Sequence, residues 1–349
     1  MYCILGDCNK EICHHCFPVK KCSYGHSHCE ENGIFKEIYH ENRIVVTGCA
    51  GFIGSHLCDK LLQIPNIEVI GIDNYDPYYA VENKRSNIGL LKSKYENFTF
   101  LQEDILTTKV IQKYKPHKVV HLASLAGVRN SLKKPEDYVK VNVQGFVNIL
   151  QQCADNNVMN VVYASSSSVY GTNSKVPFTE TDPINQCNSP YAASKKAMES
   201  FAQTYSQLYN ITTIGLRFFT VYGPRGRPDM APYKFLHALK NDIPIDKYGD
   251  GSSMRDYTYV GDIVEGIMGA LHNKNLRKCE VYNLGNNSPV SLNDFIETCE
   301  KVTGKHAIIN QMEMQLGDVS CTYANIEKAR KDLDFNPTTK LEDGLYKSL

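Results

Sequence analysis

The sequence has no excess of charge of either sign, because lysine plus arginine and aspartate plus glutamate each number 38 in 349 residues. A protein that binds nucleic acid or an anionic membrane surface usually carries a basic field, and the overall charge gives no sign of one. We therefore expect its partners to be small molecules or other protein chains.

Long apolar runs are also missing. No stretch reaches the roughly 18 consecutive apolar residues that a membrane-spanning helix needs. The N-terminus lacks the charged and apolar regions of a signal peptide. With 42% hydrophobic and 22% charged residues, the composition is that of a globular protein with one large or two medium domains. We expect no membrane partner and a cytoplasmic location.

Cysteine, in contrast, is plentiful and concentrated at the start of the chain, which we treat as a Cys/His-rich extension over residues 1–42. Cys13 and Cys16 form a CxxC pair, and Cys22, Cys29 and nearby histidines could complete a tetrahedral zinc site. A single CxxC does not establish zinc, so a poorly ordered extension without metal is the other interpretation. The remaining cysteines are interpreted as buried apolar side chains or inert thiols.

From residue 43 onward, short apolar segments alternate with helical ones. We predict strands at residues 44–47, 69–73, 98–101, 118–122, 161–164 and 212–217, and long helices at 135–155 and 191–209. This alternation indicates an α/β fold with a doubly wound parallel sheet, Rossmann-like. Beyond residue 223, proline and glycine interrupt the pattern. We therefore assign 43–222 mainly to a dinucleotide-binding domain and 223–349 mainly to a smaller C-terminal substrate-binding lobe.

A glycine loop joins the first predicted strand to the first predicted helix, with the sequence Gly48-Cys49-Ala50-Gly51-Phe52-Ile53-Gly54. Glycines permit a tight turn and a close approach of the backbone, and a helix N-terminus favours a pyrophosphate. Asp73 ends the next strand, 19 residues after Gly54, where a carboxylate accepts the ribose hydroxyls of NAD and repels the 2′-phosphate of NADP.

Asn74 follows Asp73 with no arginine beside it, so the predicted cofactor is NAD. Asp104 and Ile105, after the third strand, are candidates for the adenine end, and Ala123, after the fourth strand, is a candidate for the nicotinamide end. These positions are less specific than the glycine loop.

Tyr191 and Lys195 are four residues apart in a predicted helix, so their side chains share one face. A cation beside a phenol favours phenolate, which would move the pKa of the phenol from about 10 toward neutrality. Ser166, at the end of a predicted strand, could bond the same substrate hydroxyl. The pattern predicts an acid–base site, although a Tyr-x-x-x-Lys pair is often only helix surface.

These motifs occur in the order found in the extended short-chain dehydrogenase/reductases that act on nucleotide sugars, and the chain resembles that family from about residue 43 to 349. Within the family it is most similar to the UDP-glucuronate 4-epimerases. The similarity is carried by His121-Leu-Ala-Ser-Leu-Ala-Gly-Val-Arg129, by Arg217-Phe-Phe-Thr-Val-Tyr-Gly-Pro-Arg-Gly-Arg-Pro-Asp-Met230, by Met254-Arg-Asp-Tyr-Thr-Tyr259, by residues 262–266 and by residues 317–319.

The resemblance implies that Tyr191 is the base, Lys195 its electrostatic partner and Ser166 the proton relay. It places Asn142 on a helix near the active site and Phe219 beside the nicotinamide.

The resemblance also places Thr220 beside the hexose, Arg255 on the UDP pyrophosphate and Asp318 on the uridine ribose. An arginine fork suits phosphate and a carboxylate suits a diol. A surface ion pair is the other interpretation of Arg255 and Asp318.

Related enzymes share the first oxidation and differ afterwards. The 4,6-dehydratases carry an Asp-Glu pair after the relay residue and the decarboxylases a glutamate at the second position, whereas this chain has Ser167 and Ser168. These hydroxyls, with Thr220 and the positive charge of Arg227, would hold the carboxylate of glucuronate.

The resemblance therefore implies an isomerase that converts UDP-glucuronate to UDP-galacturonate through a transient 4-keto sugar, with tightly bound NAD. A 4-epimerase of UDP-glucose or UDP-N-acetylglucosamine, a UDP-sugar decarboxylase or dehydratase, and a non-catalytic NAD(H) sensor are the alternatives. The family commonly forms homodimers, here through the helices at 135–155 and 191–209.

Overall fold

The computed structural model describes residues 42–273, 277–314 and 320–349. The chain divides into two units, Met1–Asn42 and Arg43–Leu349, and every helix and strand below belongs to the second. Five of the residues singled out from the sequence lie outside the described residues, namely Cys13, Cys16, Cys22, Cys29 and Asp318.

The strands are β1 (Arg43–Thr47), β2 (Glu68–Ile72), β3 (Phe98–Leu101), β4 (Lys118–His121), β5 (Asn160–Ser166), β6 (Thr212–Phe218), β7 (Thr220–Tyr222), β8 (Ile245–Tyr248), β9 (Met254–Tyr259), β10 (Cys279–Leu284), β11 (Pro289–Ser291), β12 (Ile309–Met312) and β13 (Cys321–Thr322).

The helices are α1 (Phe52–Leu61), α2 (Val81–Lys94), α3 (Val110–Tyr114), α4 (Val128–Lys133), α5 (Pro135–Tyr138), α6 (Gly145–Asp155), α7 (Pro190–Tyr209), α8 (Ala231–Lys240), α9 (Val260–His272), α10 (Leu292–Thr303), α11 (Glu327–Leu333) and α12 (Leu341–Tyr346). A π-helical segment, Val139–Gln144, joins α5 to α6, and a 3₁₀ turn, Ser167–Tyr170, follows β5. No helix in the described ranges is long and apolar enough to cross a membrane.

The central sheet has seven strands in the order β10-β6-β5-β4-β1-β2-β3, all parallel. Its strands are apolar on both faces because both faces are covered. One face, with Val46 and Leu216, packs on α1, α2, α9 and α11. The other, with Val45 and Tyr163, packs on α3, α6 and α7. The predicted doubly wound parallel sheet is therefore confirmed.

The part of the chain from Thr220 onward builds smaller sheets next to this layer structure. Strands β7, β9, β11 and β13 form one sheet and β8 pairs with β12. Helices α8 and α10 pack against them through Phe235 and Phe295, whose rings lie 5.7 Å apart. Strand β10, although late in the sequence, belongs to the central sheet, so the division at 222/223 stays a prediction about where each half mainly lies.

Candidate active site

A cavity of about 440 Å³ opens at the carboxyl ends of the central strands, the usual place for a ligand in a doubly wound sheet. Its walls come from the glycine loop, from the segments after β2 and β4, from the serine turn, from α7 and from the segment after β6. Most of the predicted site residues lie here: Gly48, Gly51, Phe52, Ile53, Gly54, Asp73, Asn74, Ile105, Ala123, Ser166, Ser167, Ser168, Tyr191, Lys195, Phe219, Thr220 and Arg227.

The glycine loop is tight enough that two of its glycines have no room for a side chain. Gly48 has a φ of 72°, and a Cβ there would lie 2.7 Å from the backbone nitrogen of Ala123. A Cβ on Gly54 would lie 2.1 Å from the carbonyl oxygen of Gly48. Among the described residues no side chain caps the first turn of α1, so its amide groups remain available for an anionic group.

Asp73 lies just beyond β2 and points both carboxylate oxygens at backbone amides. Oδ1 accepts from the nitrogen of Tyr75 at 2.8 Å, and Oδ2 accepts from the nitrogen of Ala50 at 3.3 Å. Burial raises the pKa of Asp73, and the nearby Lys84 acts in the opposite direction. Each oxygen keeps a lone pair, so the carboxylate is suited to accept from a pair of ribose hydroxyls.

Asn74 and Asp104, predicted as separate cofactor contacts, are bonded to each other. Asn74 Nδ2 donates to Asp104 Oδ2 at 3.0 Å, and Asp104 Oδ1 accepts from the nitrogen of Leu106 at 2.8 Å. Ile105 is buried and lines the cavity. Asp104 thus fixes the loop that presents Ile105, and a direct contact of Asp104 with a cofactor stays a prediction.

Ala123 is fixed by a buried chain of polar groups beneath the glycine loop. Its nitrogen donates to Thr47 Oγ1 at 3.1 Å, and Thr47 Oγ1 lies 2.9 Å from His121 Nδ1. Burial, and to a smaller extent the charge of Lys195, lower the pKa of His121 to about 3. The imidazole is therefore neutral near pH 7, and His121 Nε2 has no partner among the described residues.

Tyr191 and Lys195 occupy the first turns of α7, as predicted. Lys195 is 1% exposed, and its Nζ donates to Ser124 Oγ at 3.0 Å and to the carbonyl of Ala164 at 2.8 Å. Nζ lies 6.0 Å from the centre of the Tyr191 ring. Burial lowers the pKa of Lys195 to about 7, so the ammonium is only partly charged at neutral pH.

The expectation that Lys195 brings the pKa of Tyr191 toward neutrality is wrong. Removal from water raises the pKa of Tyr191, and the Ser166 hydroxyl and the charge of Arg227 only partly oppose this effect. The physical reason is the burial of Tyr191 itself, and Lys195, which is also buried, has its own pKa lowered to about 7. The cation that favours the phenolate is Arg227, from another part of the chain.

The serine run forms the end of β5 and the following 3₁₀ turn. Ser166 has extended backbone angles, its Oγ accepts from the nitrogen of Ser168 at 3.1 Å, and its hydroxyl donates to Ser168 Oγ at 3.1 Å. This short turn presents the hydroxyls of Ser166, Ser167 and Ser168 to the cavity. No carboxylate occurs at 167 or 168.

Asn142 lies in the π-helical segment and is completely buried. Its Oδ1 accepts from the nitrogen of Leu125 at 2.7 Å, and its Nδ2 donates to the carbonyl of Leu125 and to Ser194 Oγ, both at 2.9 Å. Asn142 thus ties the loop after β4 to α7. The structure gives it a positioning role, and its predicted contact with the cofactor stays a prediction.

A buried ion pair behind the serine run was not predicted from the sequence. Arg217 donates to both oxygens of Glu199, from Nε at 2.9 Å and from Nη2 at 2.8 Å. Ser165 donates to Glu199 Oε1 at 2.6 Å, and Arg217 Nη1 donates to the Tyr170 hydroxyl at 3.0 Å. Glu199 is one turn beyond Lys195 on α7, so the pair joins the helix of the base to β6, and Ser165 links Glu199 to the strand of the relay serine.

At the far end of the cavity, the segment after β6 supplies Phe219, Thr220 and Arg227. Phe219 is buried, and its nitrogen donates to the carbonyl of Leu284 at 3.1 Å. The Arg227 guanidinium bonds Asp229, from Nε at 3.0 Å and from Nη2 at 2.5 Å. A positive group and several hydroxyls therefore share one end of the cavity with Tyr191.

Arg255 is not among the residues that line this cavity in the described ranges. It lies on β9, opposite Val290 and Thr322, and its Nη1 donates to the carbonyl of Met254 at 2.8 Å. The structure does not describe Asp318, so the predicted grip of these two residues on UDP stays a prediction.

The described cysteines are free thiols, as predicted. Burial raises the pKa of Cys49, Cys58, Cys153 and Cys299. These thiols are therefore inert packing groups, although Cys49 belongs to the glycine loop.

Comparison with known proteins agrees with this geometry. The family described as GDP-mannose 4,6 dehydratase matches residues 45–348. Protein CapI of Staphylococcus aureus is 46% identical over 325 residues, 87% of this chain and 96% of the relative. UDP-glucuronate 4-epimerase 3 of Arabidopsis thaliana is 40% identical over 324 residues, 87% of this chain and 75% of the relative.

Among solved structures, the UDP-glucuronic acid 4-epimerase of Bacillus cereus, crystallised with UDP-glucuronic acid and NAD, superposes with a TM-score of 0.81. It is 37% identical, and the match covers 87% of this chain and 96% of the other.

Proposed function

Given that the chain belongs to the GDP-mannose 4,6-dehydratase family of extended short-chain dehydrogenase/reductases, we propose that it is an NAD-dependent UDP-glucuronate 4-epimerase. It interconverts UDP-glucuronate and UDP-galacturonate through a 4-keto intermediate. The observation that carries this proposal is the cavity that joins the Ser166, Tyr191 and Lys195 set to Arg227 while offering only serine at 167 and 168.

The cavity suits NAD as the cofactor. The uncapped first turn of α1 and the glycines at 48 and 54, which leave no space for side chains, would receive the pyrophosphate. Asp73 would accept the ribose hydroxyls. Bound NAD supplies a hydride acceptor and donor in each cycle, and it is regenerated, so the protein retains it.

The acid–base work falls to Tyr191. Its phenolate takes the proton of the C4 hydroxyl as the C4 hydrogen leaves as hydride, and a carbonyl forms at C4. The ketose turns, hydride returns to its opposite face, and Tyr191 gives the proton back to the oxygen. Ser166 bonds the same oxygen and relays the proton. Arg227 stabilises the phenolate, and Lys195 holds Ser124 and the carbonyl of Ala164 beside it.

The hydroxyls of Ser167, Ser168 and Thr220, with the Arg227 guanidinium, orient the C6 carboxylate. A 4-keto glucuronate loses carbon dioxide when the bond from C5 to the carboxylate aligns with the carbonyl π system. Holding the carboxylate away from that alignment makes the protein an epimerase and not a decarboxylase. A dehydratase would need an acid and a base where Ser167 and Ser168 stand.

The UDP moiety would be held by Arg255 and Asp318. Support comes from the chain path: Ser320, the first described residue after the 315–319 gap, accepts from the nitrogen of Met254 at 2.8 Å, next to Arg255. This contact places Ser320, two residues after Asp318 in the sequence, at the start of β9.

We also infer a homodimer in the cytoplasm. Apolar side chains remain exposed on the π-helical segment and α7: Val139 at 59%, Phe201 at 38% and Leu208 at 69%. Such a surface is suited to burial against a second copy. Free thiols suit a reducing compartment.

The test is to incubate the purified full chain, without added reductant, with UDP-glucuronate, UDP-glucose or UDP-N-acetylglucosamine, and to identify the products by proton NMR. Conversion of UDP-glucuronate to UDP-galacturonate supports the proposal. Turnover of a neutral UDP-sugar alone overturns the carboxylate assignment and leaves 4-epimerisation standing. Release of carbon dioxide with formation of a UDP-pentose identifies a decarboxylase, and no turnover with any UDP-sugar overturns the proposed activity.

A further inference from the structure

Arg227 is held by Asp229 and Tyr78, neither of which is a predicted site residue. Besides its two bonds to Asp229, its Nη2 lies 3.5 Å from the Tyr78 hydroxyl, and the guanidinium carbon lies 5.3 Å from the centre of the Tyr78 ring. Tyr78 donates to Asp229 Oδ2 at 3.1 Å. Arg227, Asp229 and Tyr78 thus form a closed triangle at the wall of the cavity that Tyr78 and Arg227 line.

The residues of this triangle come from distant parts of the sequence. Tyr78 belongs to the segment between β2 and α2, and its nitrogen donates to Asp76 Oδ1 at 2.9 Å. The backbone of Gly127 passes beneath it, and a Cβ there would lie 2.8 Å from the Tyr78 hydroxyl. The close approach of Gly127 fixes where Tyr78, and through it Asp229, can lie.

The triangle is partly buried and lies outside the packed hydrophobic core. The side chains of Arg227 and Asp229 are 19% and 34% exposed, and ion pairs of this kind contribute about 1 kcal/mol or less to stability. Two of the three residues, Tyr78 and Arg227, line the cavity. The arrangement is therefore better explained by its effect on a ligand.

That effect is electrostatic. Asp229 occupies Nε and Nη2 of Arg227, and Nη1 has no bonded partner among the described residues. The side-on pairing leaves one edge of the guanidinium for a ligand and cancels much of its charge. The remaining charge still reaches Tyr191, because Arg227 lowers the pKa of that phenol.

We propose that Asp229 is a positioning residue that orients Arg227 and partly neutralises it, so that the sugar carboxylate is aligned but bound weakly enough for the ketose to turn. This inference rests on the proposed function, in which Arg227 meets a carboxylate. An epimerase must let the sugar present both faces, and an unpaired guanidinium in a confined site would hold a carboxylate too firmly to allow this.

The experiment compares Asp229→Asn, Asp229→Glu and the wild type, each loaded with NAD. Calorimetry gives the affinities for UDP-glucuronate and for UDP, which lacks the carboxylate. For Asp229→Asn we expect the ratio of the two affinities to rise about fivefold in favour of UDP-glucuronate, the size of effect an ion pair of this exposure has. The kcat for UDP-glucuronate falls while its KM also falls. Asp229→Glu, which restores the charge, returns both values toward wild type.

A second measurement, the dependence of kcat on pH, separates this positioning role from a merely structural one. Without the negative charge of Asp229, Arg227 stabilises the Tyr191 phenolate further. In Asp229→Asn the acid limb of the plot of kcat against pH therefore moves to lower pH. Glu265→Gln is the control, because Glu265 is 60% exposed and pairs with Lys60 outside the cavity lining. Glu265→Gln removes one negative charge, and it should change neither the ratio of the affinities for UDP-glucuronate and UDP nor the dependence of kcat on pH.

An unchanged or lower affinity ratio in Asp229→Asn, in protein with wild-type thermal unfolding and NAD content, overturns the inference. The inference is also overturned if the affinity ratio rises in Asp229→Asn and stays raised in Asp229→Glu. Failure of the proposed function has a different signature, which is a wild type that does not turn over UDP-glucuronate. The affinity ratio is readable in that case too, and a rise in Asp229→Asn would still support the positioning role.

Discussion

Lys195 lies beneath the Tyr191 ring without bonding to its hydroxyl in the described structure: Nζ is 6.0 Å from the ring centre and donates to Ser124 Oγ and to the carbonyl of Ala164. The pair is therefore not a simple contact between a phenolate and an ammonium. Lys195 fixes two walls of the cavity through Ser124 and Ala164.

Replacement of Tyr191 by phenylalanine removes only the hydroxyl that exchanges the proton. We expect kcat to fall by about 10²- to 10⁴-fold, the usual contribution of a positioned acid–base group, while UDP and NAD binding change little. The NMR assay measures turnover and calorimetry measures binding. Tyr205→Phe is the control, because Tyr205 is on the same helix and its hydroxyl donates to Gln151. Retained turnover in Tyr191→Phe would mean that another group is the base.

The buried Lys195 makes stability depend on pH. Its pKa is lowered from 10.5 to about 7 in the folded protein, so between these values the unfolded chain binds the proton and the folded chain does not. Unfolding free energy therefore rises with pH across this window, and the cost of burying the ammonium is greatest below pH 7. Lys195→Met removes the contribution.

The measurement is the midpoint of urea unfolding for both proteins at several pH values from 6.5 to about 9.5, below the range in which burial of tyrosines acts in the opposite direction. As the pH rises, the urea midpoint of the wild type should increase relative to that of Lys195→Met. A constant difference would show that Lys195 titrates normally.

The glycine loop can be tested against a glycine that has space around it. In Gly54→Ala the new methyl group would meet the carbonyl oxygen of Gly48 at 2.1 Å, so the turn must open. We expect bound NAD to be lost, with affinity reduced about tenfold or more. NAD content after gel filtration gives the result.

Gly89 is the matched control, because a Cβ there has no neighbour within 4 Å and the residue lies inside α2. Gly89→Ala should keep NAD and stabilise the protein by about 0.5–1 kcal/mol, since alanine favours helix over glycine. Equal NAD loss in both variants would contradict a specific role for Gly54.

Loss of the buried carboxylate at Glu199 leaves Arg217 uncompensated behind the site. The side chains of Arg217 and Glu199 are 4% and 9% exposed, and removing one member of such a pair costs about 3–5 kcal/mol. We expect Glu199→Gln to show this loss in chemical unfolding and to lower turnover, because Ser165, next to Ser166, then bonds to a neutral amide and no longer to a carboxylate.

The exposed pair of Lys301 and Glu342, at 67% and 48%, supplies the comparison. Glu342→Gln should cost about 1 kcal/mol or less and leave turnover unchanged. If both variants lose equally little stability, the ion pair of Arg217 does not support the site.

The proposed dimer predicts a sedimentation mass twice the 39.4 kDa of the chain. Leu208→Glu places a charge in the exposed apolar surface of α7, and we expect it to shift the protein toward monomer. Leu90→Glu, at a side chain 37% exposed on α2, should leave the mass unchanged. A wild type that sediments as a monomer at micromolar concentration would contradict the dimer.

Local patterns predicted the central sheet and much of the cavity. The glycine loop, the strand ending before Asp73 and the i, i+4 spacing of Tyr191 and Lys195 are all encoded within short segments, and the structure brings them together. The predicted helix at 135–155 was only partly right, since the π-helical segment Val139–Gln144 interrupts it. Asn142 lies in that segment and is turned toward Leu125.

What the sequence did not reveal depends on long-range contacts. The bond from Tyr78 to Asp229 joins residues 151 positions apart, and no periodicity marks either residue. The register of β6 beside β5 places Arg217 opposite Ser165, and α7 brings Glu199 to both residues. The raised pKa of Tyr191 is a consequence of enclosure, which local spacing does not report.

The place of β10 in the central sheet has a consequence for synthesis of the protein on the ribosome. This strand emerges after all the others of the sheet, and it pairs with β6 through residues that include Asn283 opposite Arg217. Asn283 Oδ1 accepts from the Tyr170 hydroxyl at 2.6 Å, the same hydroxyl that contacts Arg217. Until residue 284 has left the exit tunnel, β6 is an open sheet edge that can recruit a strand from another nascent chain. The support behind the serine turn is thus assembled late in translation, long after the glycine loop has been made.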